Sequence, residues 1–198
     1  AHHLYSLFLG MMGQNEEAIA EIKRALELDP LSIIINNDVA WNYHFARDYD
    51  RAIEYYKKTL ELNPGFVMAL REMGAVYAMK GQFNEAVRVL EKATDISSGD
   101  RTRARLARVY AMASKEADAR TILDDLLVHP KERHVSPCLI AEIYAGLGEK
   151  DEAFKWLEKG YQERDSLLPM LNMAPKWDPL RADPRFKELL KKMNFEEV

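Results

Sequence analysis

Apolar residues recur at helical spacing through almost the whole chain, in paired segments separated by short polar breaks. Leu70, Met73, Gly74 and Tyr77 share one helical face, Gly81 interrupts it, and Phe83, Ala86, Val87, Leu90 and Ala93 resume it. That pattern predicts two helices joined by a tight turn. The arrangement then returns along the chain. Its fixed mark is an alanine opening each second helix, at near-constant intervals: Ala18, Ala52, Ala86, Ala119 and Ala153. Such a period, about 34 residues, marks units that cannot bury their apolar faces alone and stack on their neighbours to build a continuous core. Small residues are wanted where two helices approach closely, which gives the alanine its physical reason. Gly13, Gly81 and Gly148 hold the turn position, where glycine reaches positive φ without strain, and Arg47 and Ser114 hold it in the other two units.

The two ends differ from the middle. The first helix starts at Ala1 without its first two positions or a capping residue, and Tyr5, Phe8, Leu9 and Met12 line it with apolar groups. A solenoid end normally carries a polar outer face, so this end reads as a cut inside a longer protein. At the other end, Leu167, Leu168, Met170 and Leu171 continue an apolar face, and Trp177-Asp178-Pro179-Leu180 turns the chain. Asp183-Pro184 then opens a last helix as N-cap and first-turn proline. Phe186, Leu189, Leu190 and Met193 give that helix one apolar stripe, which predicts a cap lying on the last repeat.

Composition changes this picture little. The chain has 198 residues, 47% hydrophobic and 30% charged, enough apolar surface for a core. No apolar run approaches a membrane span and the start lacks a signal-peptide pattern, so a soluble chain is expected, with a lean to the cytoplasm from its single cysteine, Cys138. A net charge of −4 does not point to nucleic acid, but its distribution is uneven: residues 101–120 carry a local net of +4.

The chain resembles the tetratricopeptide repeat family. The resemblance rests on the small residue of the first helix (Gly74, Ala107, Ala141), the aromatic three positions later (Tyr43, Tyr77, Tyr110, Tyr144), the alanine of the second helix and the closing prolines Pro30 and Pro64. It implies an all-α, right-handed α-solenoid of five helix-turn-helix units, at 1–32, 33–66, 67–99, 100–133 and 134–165, with C-terminal capping helices at 166–198, all in one solenoid domain. The fourth unit is one residue short, with its proline drawn in to Pro130, and the third closes with Ser97-Ser98-Gly99. These departures bear on local stacking angles. The tail is also similar to those closing repeat arrays in bacterial regulatory proteins, where the array follows a kinase or DNA-binding domain.

In that family the first helix of each unit lines a concave groove that meets the ligand. The resemblance carries this role onto Asn37, Asp38, Trp41, His44 and Phe45 in the second unit, and onto Met68, Arg71, Glu72 and Met79 in the third. It gives the same role to Arg101, Arg105, Arg108 and Met112 in the fourth, and to Val135, Cys138, Leu139 and Glu142 in the fifth. Arg101, Arg105 and Arg108 stand at i, i+4 and i+7, so one helix face is expected to present three guanidiniums in a row, suited to carboxylates or phosphates. A solvated face paired with Glu72, Asp100 or Glu142 is the other reading of the same residues. Trp41 and Phe45 likewise read either as a binding hot spot or as packing between neighbouring first helices. The lysine, asparagine and arginine clamp by which some family members hold acidic chaperone tails is incomplete in every three-unit window. The chain's own acidic end, Glu196-Glu197-Val198, is a further candidate for the arginine stripe, read chiefly as solvated tail.

Enzymatic readings are poor. His129, His134 and Cys138 have no further His or Cys at zinc-site spacing, so no metal or other cofactor is expected, and Cys138 reads as a small buried filler. The expected function is therefore a non-enzymatic protein–protein interaction scaffold that binds a partner peptide or helix in its groove, an acidic one if the arginines meet it. The alternative is a structural or oligomerisation segment of a larger bacterial regulatory protein, self-associating through its N-terminal end. No membrane partner is expected, and a nucleic-acid partner is disfavoured by the small basic footprint.

Overall fold

A computed structural model describes residues 1–128 and 135–195. The described residues are all helix and turn, without a strand, which places the chain in the all-α, solenoid-repeat class. Its contacts divide into two compact units, Ala1–Ser97 and Ser98–Val198. His129, Pro130, His134 and the acidic end Glu196-Glu197-Val198 lie outside the described residues.

The first unit contains α1 (His2–Met11), α2 (Asn15–Leu28), α3 (Ile33–Phe45), α4 (Tyr49–Leu62), α5 (Val67–Met79) and α6 (Phe83–Ile96). Each odd helix pairs with the next, and α2 and α4 also pack on the following odd helix. The shared core includes Ile22, Val39, Tyr43, Tyr56, Leu70 and Val76. Burying an Ile or Leu of this kind contributes about 1.5–3 kcal/mol, which an isolated helix pair could not collect on its open side.

The second unit contains α7 (Asp100–Met112), α8 (Glu116–Val128), α9 (Pro137–Leu147), α10 (Lys150–Gln162) and α11 (Pro184–Lys192), with two 3-10 segments, Leu168–Leu171 and Pro175–Leu180. Here α9 packs chiefly against α7 and only lightly against α8. Gly146 permits it: a Cβ there would stand 2.9 Å from the Arg108 side chain and 3.0 Å from the Arg108 carbonyl oxygen. α11 lies on α10, where Arg185 meets Asp151 at 2.7 Å and Lys192 meets Glu158 at 2.9 Å, with Phe186 and Leu189 buried. Asp183 caps it as its sequence predicts, accepting from the Arg185 N–H at 3.0 Å.

The recurring text has one local cause at its turns. Gly13, Arg47, Gly81, Ser114 and Gly148 all take positive φ, between 60° and 78°. The N–H after each reaches back to the carbonyl of Leu9, Tyr43, Tyr77, Tyr110 or Tyr144, at 2.8–3.0 Å. This closure ends a helix while satisfying its last carbonyls, and it delivers the chain into the partner helix at a set angle. The five alanines that follow are fully buried, each at 0% exposure.

Candidate functional site

In the first unit, the expected groove residues of α3 and α5 form a polar and aromatic face. The Asn37 side chain is 1% exposed and its amide donates to Asp38 Oδ1 at 3.0 Å and toward Met68 Sδ at 3.5 Å. Its own Oδ1 receives no hydrogen bond among the described residues. Asp38 is also 2.6 Å from His3 Nε2 on α1. Trp41 is half-buried and lies over Phe45, their ring centroids 4.1 Å apart. It also crosses α1 at Gly10, where a Cβ would stand 3.3 Å from Trp41 Cζ3. Phe45 is buried beneath, so the packing reading holds for Phe45, while Trp41 keeps part of its ring at the surface. On α5, Arg71 Nε donates to Glu72 Oε1 at 3.0 Å, and Met68 is exposed.

The arginine row of the second unit is placed otherwise than its spacing suggests. Only Arg101 is exposed; Arg105 and Arg108 are buried between α7 and α9. The expectation of three presented guanidiniums is corrected by that helix contact, which turns the face of α7 inward. Arg105 Nη1 stands 3.1 Å from Glu142 Oε1 of α9, the pairing that the solvated-face reading anticipated, but inside the unit instead of in solvent. Lys176, from the Pro175–Leu180 segment, pairs with the other oxygen of Glu142. Arg108 Nη2 donates to the Lys176 carbonyl at 3.3 Å, and its Nε and Nη1 meet no acceptor among the described residues.

Burial alone would raise the Glu142 carboxyl; the charges of Arg105, Lys176 and Arg108 outweigh it and hold it at about 2. Burial pulls the Arg108 guanidinium down to about 10, against the opposing pull of Glu142, so it still carries its charge at neutral pH. The buried network is therefore fully ionised, a state that persists only when ions are paired and hydrogen-bonded.

A family model for the tetratricopeptide repeat matches residues 46–101, and a second of the same description matches residues 1–30 and 138–164. The chain belongs to the tetratricopeptide repeat family. Solved structures agree at the level of fold. A thermophilic tetratricopeptide repeat protein from Thermus thermophilus is 20% identical, with 96% of this chain and 97% of that one covered and a TM-score of 0.66. PilF from Pseudomonas aeruginosa is also 20% identical, covering 98% and 90%, at 0.62. A tetratricopeptide repeat protein from Parabacteroides merdae is 13% identical, covering 100% and 80%, at 0.57. No curated protein matches the sequence.

In this tetratricopeptide repeat chain the remaining candidates carry no chemistry. Cys138 is buried, and burial, with the Asp165 carboxylate beside it, pushes its thiol well up, away from a nucleophilic thiolate. Among the described residues no group of His, Cys, Asp and Glu could hold a metal ion, and no helix is long and apolar enough to cross a membrane. Two features escaped the sequence. Asp165, after α10, caps α9 from a distance, its Oδ2 accepting from Ser136 Oγ at 2.5 Å and the Cys138 N–H at 3.0 Å. Lys176 supplies the counter-charge to Glu142. No periodic signal marks either residue, because each acts on a helix far from it along the chain.

Proposed function

We propose that this chain is a protein-interaction module that binds an extended peptide segment on the α3/α5 face of its first unit. The carrying observation is Asn37. A buried side-chain carbonyl without a donor costs roughly 1–3 kcal/mol, and a peptide N–H laid across the face would supply one. The half-exposed Trp41 beside it offers a flat apolar platform of the kind that anchors binding energy. Asp38, Arg71 and Glu72, each partly open to solvent, set the polar rim, with Phe45 supporting Trp41 from below.

Peptide-display selection against the immobilised chain tests the reading. Selected peptides should bind Asn37→Ala and Trp41→Ala at least about tenfold more weakly, a loss of ~1.4 kcal/mol, with helicity unchanged. Peptides that bind both variants as tightly as the parent would refute the site.

A second reading has its own observation. Leu4, Tyr5, Phe8, Met11 and Met12 leave an apolar face of α1 exposed, Leu4 at 71%. Such a face meets a second copy of itself as a symmetric pair, giving the structural or oligomerisation role. Light scattering over a concentration series decides it, since a mass that stays monomeric throughout removes self-association.

A further inference from the structure

The face of α7 and α9 that carries Arg105, Arg108 and Glu142 is not open; the chain's own Pro175–Leu180 segment lies on it. The segment docks through its backbone and one charge, by the Lys176 carbonyl on Arg108 and the Lys176 ammonium on Glu142, with Trp177 buried alongside. Its other ties run within the tail: Arg181 donates to the Asn172 carbonyl at 2.6 Å, pairs with Asp178 at 2.8 Å and stacks on Phe186. α11, further on, is fastened separately to α10. The segment is thus a strap, anchored beyond itself by contacts that do not involve α7 or α9.

The fit beneath the strap is imperfect in one specific way. Arg108 is 2% exposed, yet a single carbonyl at 3.3 Å satisfies one of its nitrogens, while Nε and Nη1 meet no acceptor among the described residues. A neutral carbonyl is a weak partner for a buried guanidinium, for which a carboxylate would provide two parallel charge-assisted bonds. Asp178 is within electrostatic reach of Arg108 but is engaged with Arg181.

We propose that Pro175–Leu180 is a displaceable internal occupant, and that its release opens the α7/α9 face to an acidic peptide segment whose carboxylate takes Arg108, with Arg105 and the exposed Arg101 beside it. Lys176 leaves with the strap, and Glu142 remains to hold Arg105. This second surface is distinct from the α3/α5 face and stands or falls without it. Because the strap and the ligand compete, apparent affinity in the closed state is lowered by the fraction of open molecules.

The test uses the full chain, the Lys176→Ala/Trp177→Ala variant and a fluorescein-labelled hexaglutamate peptide as probe, read by anisotropy, with hydrogen exchange followed in parallel. The variant should keep protection in α7 and α9, and should bind the probe at least about tenfold more tightly than the parent. Salt near 0.5 M should erase that gain, since a screening length of only about 4 Å remains there. Arg108→Gln in the same background should erase it too, and Arg105→Gln should reduce it. Loss of protection across α7 and α9 in the strap variant would make the segment a part of the core and overturn the proposal. Intact protection with unchanged probe affinity, or a gain that survives both salt and Arg108→Gln, would overturn it equally.

Discussion

Replacing Glu142 by glutamine isolates the buried charge network. The carboxylate is 1% exposed and stands between Arg105 and Lys176, with Arg108 near. Glutamine keeps the shape and removes the charge, leaving buried cations without their anion, a change that costs roughly 3–5 kcal/mol. The titration of the parent gives an independent figure. The carboxyl sits at about 2 in the fold against an ordinary 4.5, and at ~1.4 kcal/mol per unit the difference is roughly 3 kcal/mol. The sign follows from the depressed value: the stabilisation is complete above pH 4.5 and is lost as pH falls toward 2. Repeat units need not unfold in one step, so exchange protection in α7 and α9 is the suitable readout, joined to urea midpoints over a pH series. Glu142→Gln should speed exchange there by about two orders of magnitude, and its stability should lack the parent's loss between pH 4.5 and 2. A variant within ~0.5 kcal/mol of the parent, with the parent's acid profile intact, would show that the network contributes nothing net and refute the reasoning.

Two further substitutions test the repeat itself. Gly74→Ala places a Cβ 2.5 Å from Leu90 Cγ, so overpacking of ~1–3 kcal/mol should outweigh the ~1 kcal/mol gained in helix propensity, and a denaturation midpoint that rises would contradict the close α5/α6 approach. Ser114→Gly relieves a φ of 60° at a turn where three other units use glycine; it should stabilise the second unit by about 0.5–1 kcal/mol, and a lower midpoint would show that the serine is not strained.

What the sequence made legible divides by range. The helix pairs, the left-handed turn positions including Arg47 and Ser114, the buried alanines and the Asp183-Pro184 cap all depend on residues within one turn or one repeat. Spacing alone therefore carries them. The arginine row failed for the complementary reason. A spacing of i, i+4 and i+7 fixes which side chains share a face of α7, but whether that face meets water depends on where α9 lies. That placement rests on Gly146, which belongs to the following helix pair and lies more than a full repeat beyond Arg108. In the first unit the odd helices stay spaced by the even ones and the face of Asn37 and Trp41 remains partly open, so the register-based assignment lands on accessible groups.

The same difference decides what charge can do at each place. On an exposed helix face three arginines repel one another weakly through water and could be reversed to glutamate at small cost. Buried beside Glu142, Arg105 cannot: a glutamate there would set two carboxylates together in a site already closed to solvent, and the fold would fail before any ligand was tested. Charge reversal of the whole row therefore reports on folding, and only Arg101 can be reversed as a surface residue. The basic character visible near Arg105 is real, but in the closed chain it is taken up by Glu142 and by the backbone of Lys176. It becomes a recognition surface only if the strap that covers it can leave.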